Sequence, residues 1–242
     1  MKSKFVLTLL MLLFIMGTSC EDKKSSSKDS EQENTATKKD STPEEKNKAQ
    51  NDALKKKTGS IIEDQSELIP FLTEYGKNNP ETRVRIKTSM GDIEVELFRD
   101  TPLHRANFIL LVKQDYFNGT MFHRVAEGFV DQGGNSDGYD TPKKRMRIGN
   151  YLIPNEASPN HTHVRGAFSA AKYTEQNVSE ASSPFEFFIV QAPNGAHHLD
   201  GKHTVFGRVT KGMDVVDEIN KVPVDKNEWP LSNIYIDVEL IK

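Results

Sequence analysis

Residues 122–134 read Phe122-His123-Arg124-Val125-Ala126-Glu127-Gly128-Phe129-Val130-Asp131-Gln132-Gly133-Gly134. The stretch reads as two short strands, around Met121–Val125 and Gly128–Gln132. Asn118-Gly119, just upstream, is a turn signal.

The same pattern extends outward. Val84 and Ile86 alternate with charged residues, Ser89-Met90-Gly91-Asp92 reads as a turn, and Ile93, Val95 and Leu97 alternate with Glu94 and Glu96. That is a β-hairpin with one buried face. Thr101-Pro102 places an N-cap and a first-position proline at the start of a helix running to about Lys113. Its wide apolar set (Leu103, Ala106, Phe108, Ile109, Leu110, Leu111, Val112) suits a helix that plugs one end of a core. Short strands follow around Gly166–Ala170, Glu186–Gln191, Thr204–Val209 and Ile234–Ile241, with a second short helix over Asp214–Asn220. Many short strands, glycine-rich turns and two helices predict an all-β fold, a closed antiparallel barrel with capped ends.

Three more stretches stand out: Arg165-Gly166-Ala167-Phe168-Ser169-Ala170-Ala171, Phe185-Glu186-Phe187-Phe188-Ile189-Val190, and Leu199-Asp200-Gly201-Lys202-His203-Thr204-Val205-Phe206-Gly207-Arg208-Val209. With residues 122–134, they closely resemble the cyclophilin family in order, spacing and content, from roughly Arg83 to Lys242. Phe-His-Arg, Gln-Gly-Gly, Phe-Phe-Ile, Leu-Asp-Gly-Lys-His and Val-Phe-Gly are each weak alone and specific together. The resemblance implies an eight-stranded antiparallel β-barrel with two capping helices over residues 81–242, a shallow groove on the outer face, and peptidyl-prolyl cis/trans isomerase activity on proline-containing polypeptides. A non-catalytic proline-peptide-binding or chaperone module on the same fold is the alternative.

Carried over position by position, the resemblance makes Arg124 the catalytic guanidinium, with Phe129 and Gln132 in the catalytic set. Phe129, Val130, Phe188, Leu199 and His203 line the proline pocket, and Gln132 and Ala171 hold the peptide backbone beside it. His198 falls on the pocket rim, where many members carry an aromatic residue, and Phe122 and Glu186 join the substrate-binding set. No cofactor and no metal are implied, and nothing suggests more than a monomer.

The chemistry explains these residue types. Rotation about an X–Pro bond must break amide resonance, a barrier of about 18–20 kcal/mol. No bond is cleaved, so the need is preferential binding of the twisted amide. As the bond twists, the prolyl nitrogen pyramidalises and becomes a hydrogen-bond acceptor. Arginine, permanently charged and carrying its donors in a rigid fork, suits that task.

Several positions depart from the commonest family pattern. Val130 replaces a usual Met, Glu127 stands where Pro is common, Lys172 where Asn is frequent, and Phe185-Glu186 where Ser-Gln is typical. Glu186 is expected near Arg124, where its carboxylate would pair with the guanidinium. His198 in place of Trp implies weak binding of the cyclosporin class. His161 and His163 form a His-x-His pair and His197, His198 and His203 cluster elsewhere, but no further ligand completes a metal site at recognisable spacing. The basic run Lys143-Lys144-Arg145-Met146-Arg147 reads as a solvated loop.

The chain has 242 residues, 36% hydrophobic and 28% charged, with a formal net charge of −3. That balance offers no support for nucleic-acid binding. Cys20 is the only cysteine, which excludes an intrachain disulfide and a thiolate zinc site. Lys2 and Lys4 precede an apolar run over Phe5–Met16, then Gly17-Thr18-Ser19 and Cys20. This resembles a bacterial lipoprotein signal over residues 1–19, with Cys20 lipidated and the protein held to a membrane of the cell envelope. Residues 20–60 are polar, with Leu54 their only large aliphatic residue, and are expected to form a disordered tether. Residues 61–80 carry Ile61, Ile62, Leu68, Ile69, Phe71 and Leu72 and, over Ile61–Tyr75, read as a short amphipathic helix that Pro70 argues against being continuous; the segment would serve as lid or linker.

Overall fold

The computed structural model describes residues 59–173 and 179–242. The segments expected to be a signal peptide and a tether, with Cys20 between them, lie outside the described residues up to residue 58. Among the described residues, eight strands form β1 (Arg83–Thr88), β2 (Gly91–Leu97), β3 (Thr120–Ala126), β4 (Val130–Asn135), β5 (Ala167–Ala170), β6 (Phe187–Val190), β7 (Val205–Lys211) and β8 (Ile234–Leu240). They close into a barrel in the order β1-β2-β7-β5-β6-β4-β3-β8, and every pairing is antiparallel. Closure leaves no sheet edge.

Alternation along the strands sorts side chains into two layers. In β6, Phe187 and Ile189 point into the main core with Val84, Ile86, Ile93, Val95, Phe122 and Phe168. Phe188 and Val190 point the other way, into a smaller cluster with Ala126, Val130, Ala171 and Val205. This smaller cluster underlies the groove described below.

Four α-helices accompany the barrel: α1 (Leu68–Asn78), α2 (Pro102–Lys113), α3 (Asp140–Ile148) and α4 (Met213–Ile219). The sequence predicted α2 and α4 and, over residues 61–75, a short amphipathic helix broken at Pro70, where α1 in fact runs on. In α2 every residue from His104 to Val112 is buried. Thr101 occupies the N-cap position of α2 without a side-chain cap bond. The Glu156 carboxylate substitutes for it, accepting from the Leu103 and His104 amides at 3.1 and 2.9 Å, a favourable placement for an anion.

Prolines made α1 look interrupted and hid α3. Pro70 and Pro142 both fall in the first turn of their helices, where the missing N–H would have had no intrahelical partner anyway. The basic run 143–147, read as a solvated loop, is therefore helical. Residues 61–80 are neither lid nor linker but part of the main core, with Ile62, Leu68 and Leu72 buried there. The Ile61 and Ile62 amides donate to the Arg147 and Ile148 carbonyls, both at 2.9 Å. Buried Arg105 of α2 caps the end of α1, donating to the Gly76 and Asn79 carbonyls at 2.9 and 2.8 Å. No helix among the described residues is long and apolar enough to cross a membrane.

Candidate active site

Three strands bring the central residues into one row. Arg124 on β3 is the register partner of Gln132 on β4, and Gln132 is the partner of Phe188 on β6. Directly paired residues share a face, so guanidinium, amide and phenyl ring stand side by side on the outer wall. They border a cavity of about 410 Å³ that also takes in Phe129, Val130, Ala171, Leu199 and His203. The structure thus brings together eight of the positions assigned from the sequence.

The floor of the cavity is held by ring contacts and a hydrogen bond. The His203 ring meets Phe188 edge-on at 5.5 Å, and its Nδ1 lies 3.0 Å from the Ala170 carbonyl. Since a carbonyl only accepts, Nδ1 carries the proton there. Burial pulls the His203 pKa below its ordinary value, aided by nearby Lys172, which favours the neutral ring. Behind the floor, His163 stacks on Phe188 at 5.8 Å.

The turn that carries Phe129 is fixed from below by one side chain. Asn220 Oδ1 accepts from the Gly128 amide at 2.7 Å, while its Nδ2 donates to the Ala126 carbonyl at 3.0 Å and to Asp131 Oδ1 at 2.7 Å. Asp131 is fully buried. Desolvation pushes its pKa up to about 7, against the Asn220 hydrogen bond that lowers it.

Among the described residues, Arg124 is held from one side only. Its Nε donates to Glu228 Oε2 at 2.7 Å, which leaves the two terminal nitrogens of the fork for a ligand. Glu228 lies in the loop before β8 with φ +63°, and its carbonyl accepts from the Val125 amide at 2.8 Å. The Asp225 carboxylate orders that loop, accepting from the Asn227 and Trp229 amides. Sequence reasoning missed Glu228. Only the Asx-type turn chemistry of Asp225–Trp229 hinted that the loop was fixed.

Two assignments are corrected. Phe122 does not line the groove: it is fully buried in the main core, edge-on to Phe187 at 6.0 Å. Strict alternation would put Phe122 and Arg124 on one face. The β3–β4 register shifts between them, and that irregularity turns Phe122 inward. Glu186 does not pair with Arg124 and does not line the groove. Its side chain is only 11% exposed, and its two oxygens accept from Gln132 Nε2 at 2.9 Å and Arg145 Nη2 at 3.1 Å.

Two other positions differ in detail. His198 stands at the rim, exposed and stacked on Phe129 at 5.4 Å. The Ala171 amide is already bonded to the Glu186 carbonyl, and its own carbonyl accepts from the Ser183 amide. A bound peptide finds there only the second lone pair of that carbonyl and the methyl group. Lys172, Tyr173 and Glu180 close the far end of the cavity, with Lys172 and Glu180 ion-paired.

The remaining histidines are used locally. His161 binds Asp100 and stacks on Phe98. His104 bridges Glu156 and Ser182, and His163 bridges Asp200 and Ser169. Both chains imitate the order acid–histidine–serine, yet Ser182 and Ser169 are fully buried, so neither hydroxyl can reach a substrate as a nucleophile. Among the described residues no group of three or more candidate ligands could hold a metal ion.

Comparison with known proteins bears on the family and the fold. The family of cyclophilin type peptidyl-prolyl cis-trans isomerase/CLD matches residues 83–239. A peptidyl-prolyl cis-trans isomerase of Acinetobacter baylyi is 41% identical over 146 residues, covering 59% of this chain and 73% of that protein. A peptidyl-prolyl cis-trans isomerase-like 1 protein of Neurospora crassa is 35% identical over 157 residues, covering 64% and 91%. Among solved structures, a Cryptosporidium parvum cyclophilin type isomerase crystallised in the presence of the dipeptide Ala-Pro aligns with a TM-score of 0.55 and 28% identity, over 66% of this chain and 99% of that one.

Proposed function

Because the chain belongs to the cyclophilin-type peptidyl-prolyl cis/trans isomerases and catalyses rotation about X–Pro bonds, we propose that Arg124 drives that rotation and that the substrates are polypeptides of the cell envelope. The single observation that carries the site assignment is the row Arg124–Gln132–Phe188 beside an apolar floor.

In the planar amide the prolyl nitrogen is a poor acceptor. Phe129, Val130, Phe188 and Leu199 grip the ring while the preceding carbonyl swings. As the nitrogen pyramidalises, a terminal N–H of Arg124 donates to it. That bond exists mainly in the twisted state, so it lowers the barrier rather than tightening ground-state binding. Charge-assisted bonds contribute roughly 1.5–3 kcal/mol net, and more where water is excluded. Glu228 holds Nε, so the fork need not be ordered at the moment of reaction. Gln132 steadies the backbone next to the ring.

Proline-limited refolding of a slow-folding client tests the assignment. Wild type should accelerate the slow phase and Arg124→Ala should not; equal rates for both would overturn it.

The envelope location rests on the sequence alone: the positive residues Lys2 and Lys4, the apolar run and Cys20. A diacylated or triacylated Cys20 would anchor the protein at about 0.8 kcal/mol per buried methylene. Incorporation of labelled fatty acid into wild type but not into Cys20→Ser supports the anchor. A Cys20→Ser protein that still partitions with membranes contradicts it.

A further inference from the structure

Helix α3 turns two of its four basic residues, Lys144 and Arg145, inward, while Lys143 and Arg147 stay exposed. Lys144 Nζ donates to the Asp115 and Asn118 carbonyls at 2.9 and 2.7 Å. Arg145 goes deeper: Nε donates to the Tyr116 hydroxyl at 3.0 Å, and Nη2 to Asn135 Oδ1 and Glu186 Oε1, both at 3.1 Å. Its guanidinium lies 5.1 Å over the Phe185 ring. Tyr116 spends its own proton on the Gly134 carbonyl at 2.8 Å, so its oxygen is left to accept from Arg145.

Glu186 is the junction. One oxygen faces Arg145, and the other takes the Gln132 Nε2 bond, with His123 Nε2 3.5 Å away. Burial alone would raise the Glu186 pKa, but His123, Arg145 and Gln132 together reverse this and hold the carboxyl below its ordinary value. An ionised carboxylate only accepts hydrogen bonds. Gln132 must therefore turn its NH₂ toward Glu186 and leave Oε1 and one N–H for the groove.

We propose that Arg145 is a positioning residue of the isomerase: through Glu186 it fixes the Gln132 amide in one orientation, so that the same end always meets the peptide backbone beside the proline. Arg145 does not itself border the groove. The inference rests on the reading of that groove as the isomerase site. Without the cation, the mostly buried Glu186 takes up a proton more readily. It can then donate to Gln132 Oε1, and the amide is free to flip.

The test is a double-mutant cycle on the full-length protein, read by cis–trans exchange on a short Ala-Pro peptide. Arg145→Met should lower kcat/KM about tenfold (~1.4 kcal/mol), mainly through kcat, and Arg145→Lys, which keeps the charge, should recover part of the loss. In a Gln132→Ala background, Arg145→Met should cost nothing further. An equal loss in both backgrounds, as a general structural defect would give, or no loss in either, overturns the proposal. Should Arg145→Met lack a cooperative thermal transition, Glu186→Gln replaces it in the same cycle, because a glutamine there can present either end to Gln132. Full activity of both Gln132→Ala and Arg124→Ala would instead defeat the groove reading itself. Impaired Gln132→Ala beside a normal Arg145→Met defeats only the relay.

Discussion

Arg124 and Glu228, 104 residues apart in the chain, meet through Nε and Oε2 at 2.7 Å. The carboxylate does not supply the charge, which arginine carries at any accessible pH. It supplies direction, fixing one edge of the fork so that the other faces the groove. Glu228→Ala should therefore lower kcat/KM about tenfold, the order of one charge-assisted hydrogen bond. Glu228→Gln keeps an acceptor and should retain most activity. Steady-state exchange rates for the two variants decide between them, and equal, large losses would show that the negative charge itself matters.

His203 predicts a pH limb. Its neutral form bonds the Ala170 carbonyl and packs on Phe188, and burial holds its pKa below the ordinary value. Protonation would place a cation in the wall of an apolar pocket. Thus kcat/KM should be level from about pH 8 down to the ordinary histidine range near pH 6.5 and fall only below that range. A profile of kcat/KM over that range checks this; a fall beginning above pH 7 would contradict it.

Phe122 and Phe188 separate stability from binding. Phe122→Ala opens a hole in the main core and should cost about 3–5 kcal/mol of stability, measured by urea unfolding, with little change in KM for molecules that remain folded. Phe188→Ala removes part of the groove floor and should raise KM several-fold.

Asp131 makes stability fall with rising pH. Its pKa is about 7 in the folded state against 3.8 for the free carboxyl. Between those values the folded chain binds a proton that the unfolded chain does not, so stability declines from about pH 4 to pH 7 and the cost is complete above that. Asp131→Asn mimics the protonated acid. It should match wild type near pH 4 and exceed it by as much as about 4 kcal/mol above pH 7. Parallel unfolding curves for the two proteins across that range would refute the assignment.

The barrel was legible because its signals are local: alternation in Ile93–Leu97, turn residues at Asn118-Gly119, and four ordered motifs. The groove residues on those motifs were legible for the same reason. Helix α1 read as broken because of Pro70 and α3 was hidden by Pro142, since a proline in a first turn and one in a loop look alike in sequence. Phe122 was misplaced because a register shift has no sequence signature in a strand of ordinary residues. Glu228 and Arg145 reach the site from distant parts of the chain, and no spacing rule links position 228 to 124 or 145 to 186. Long-range electrostatic partners follow from closure, which the pattern implies without fixing loop paths.

The central claim is that a fixed, forked cation bonds to the prolyl nitrogen only in the twisted amide. Exchange spectroscopy on an Ala-Pro-Phe peptide with wild type and with Arg124→Lys tests it most directly. Wild type should give strong cis–trans exchange and Arg124→Lys should fall to near the uncatalysed rate, although its charge is retained. Near-normal exchange with Arg124→Lys would contradict the account.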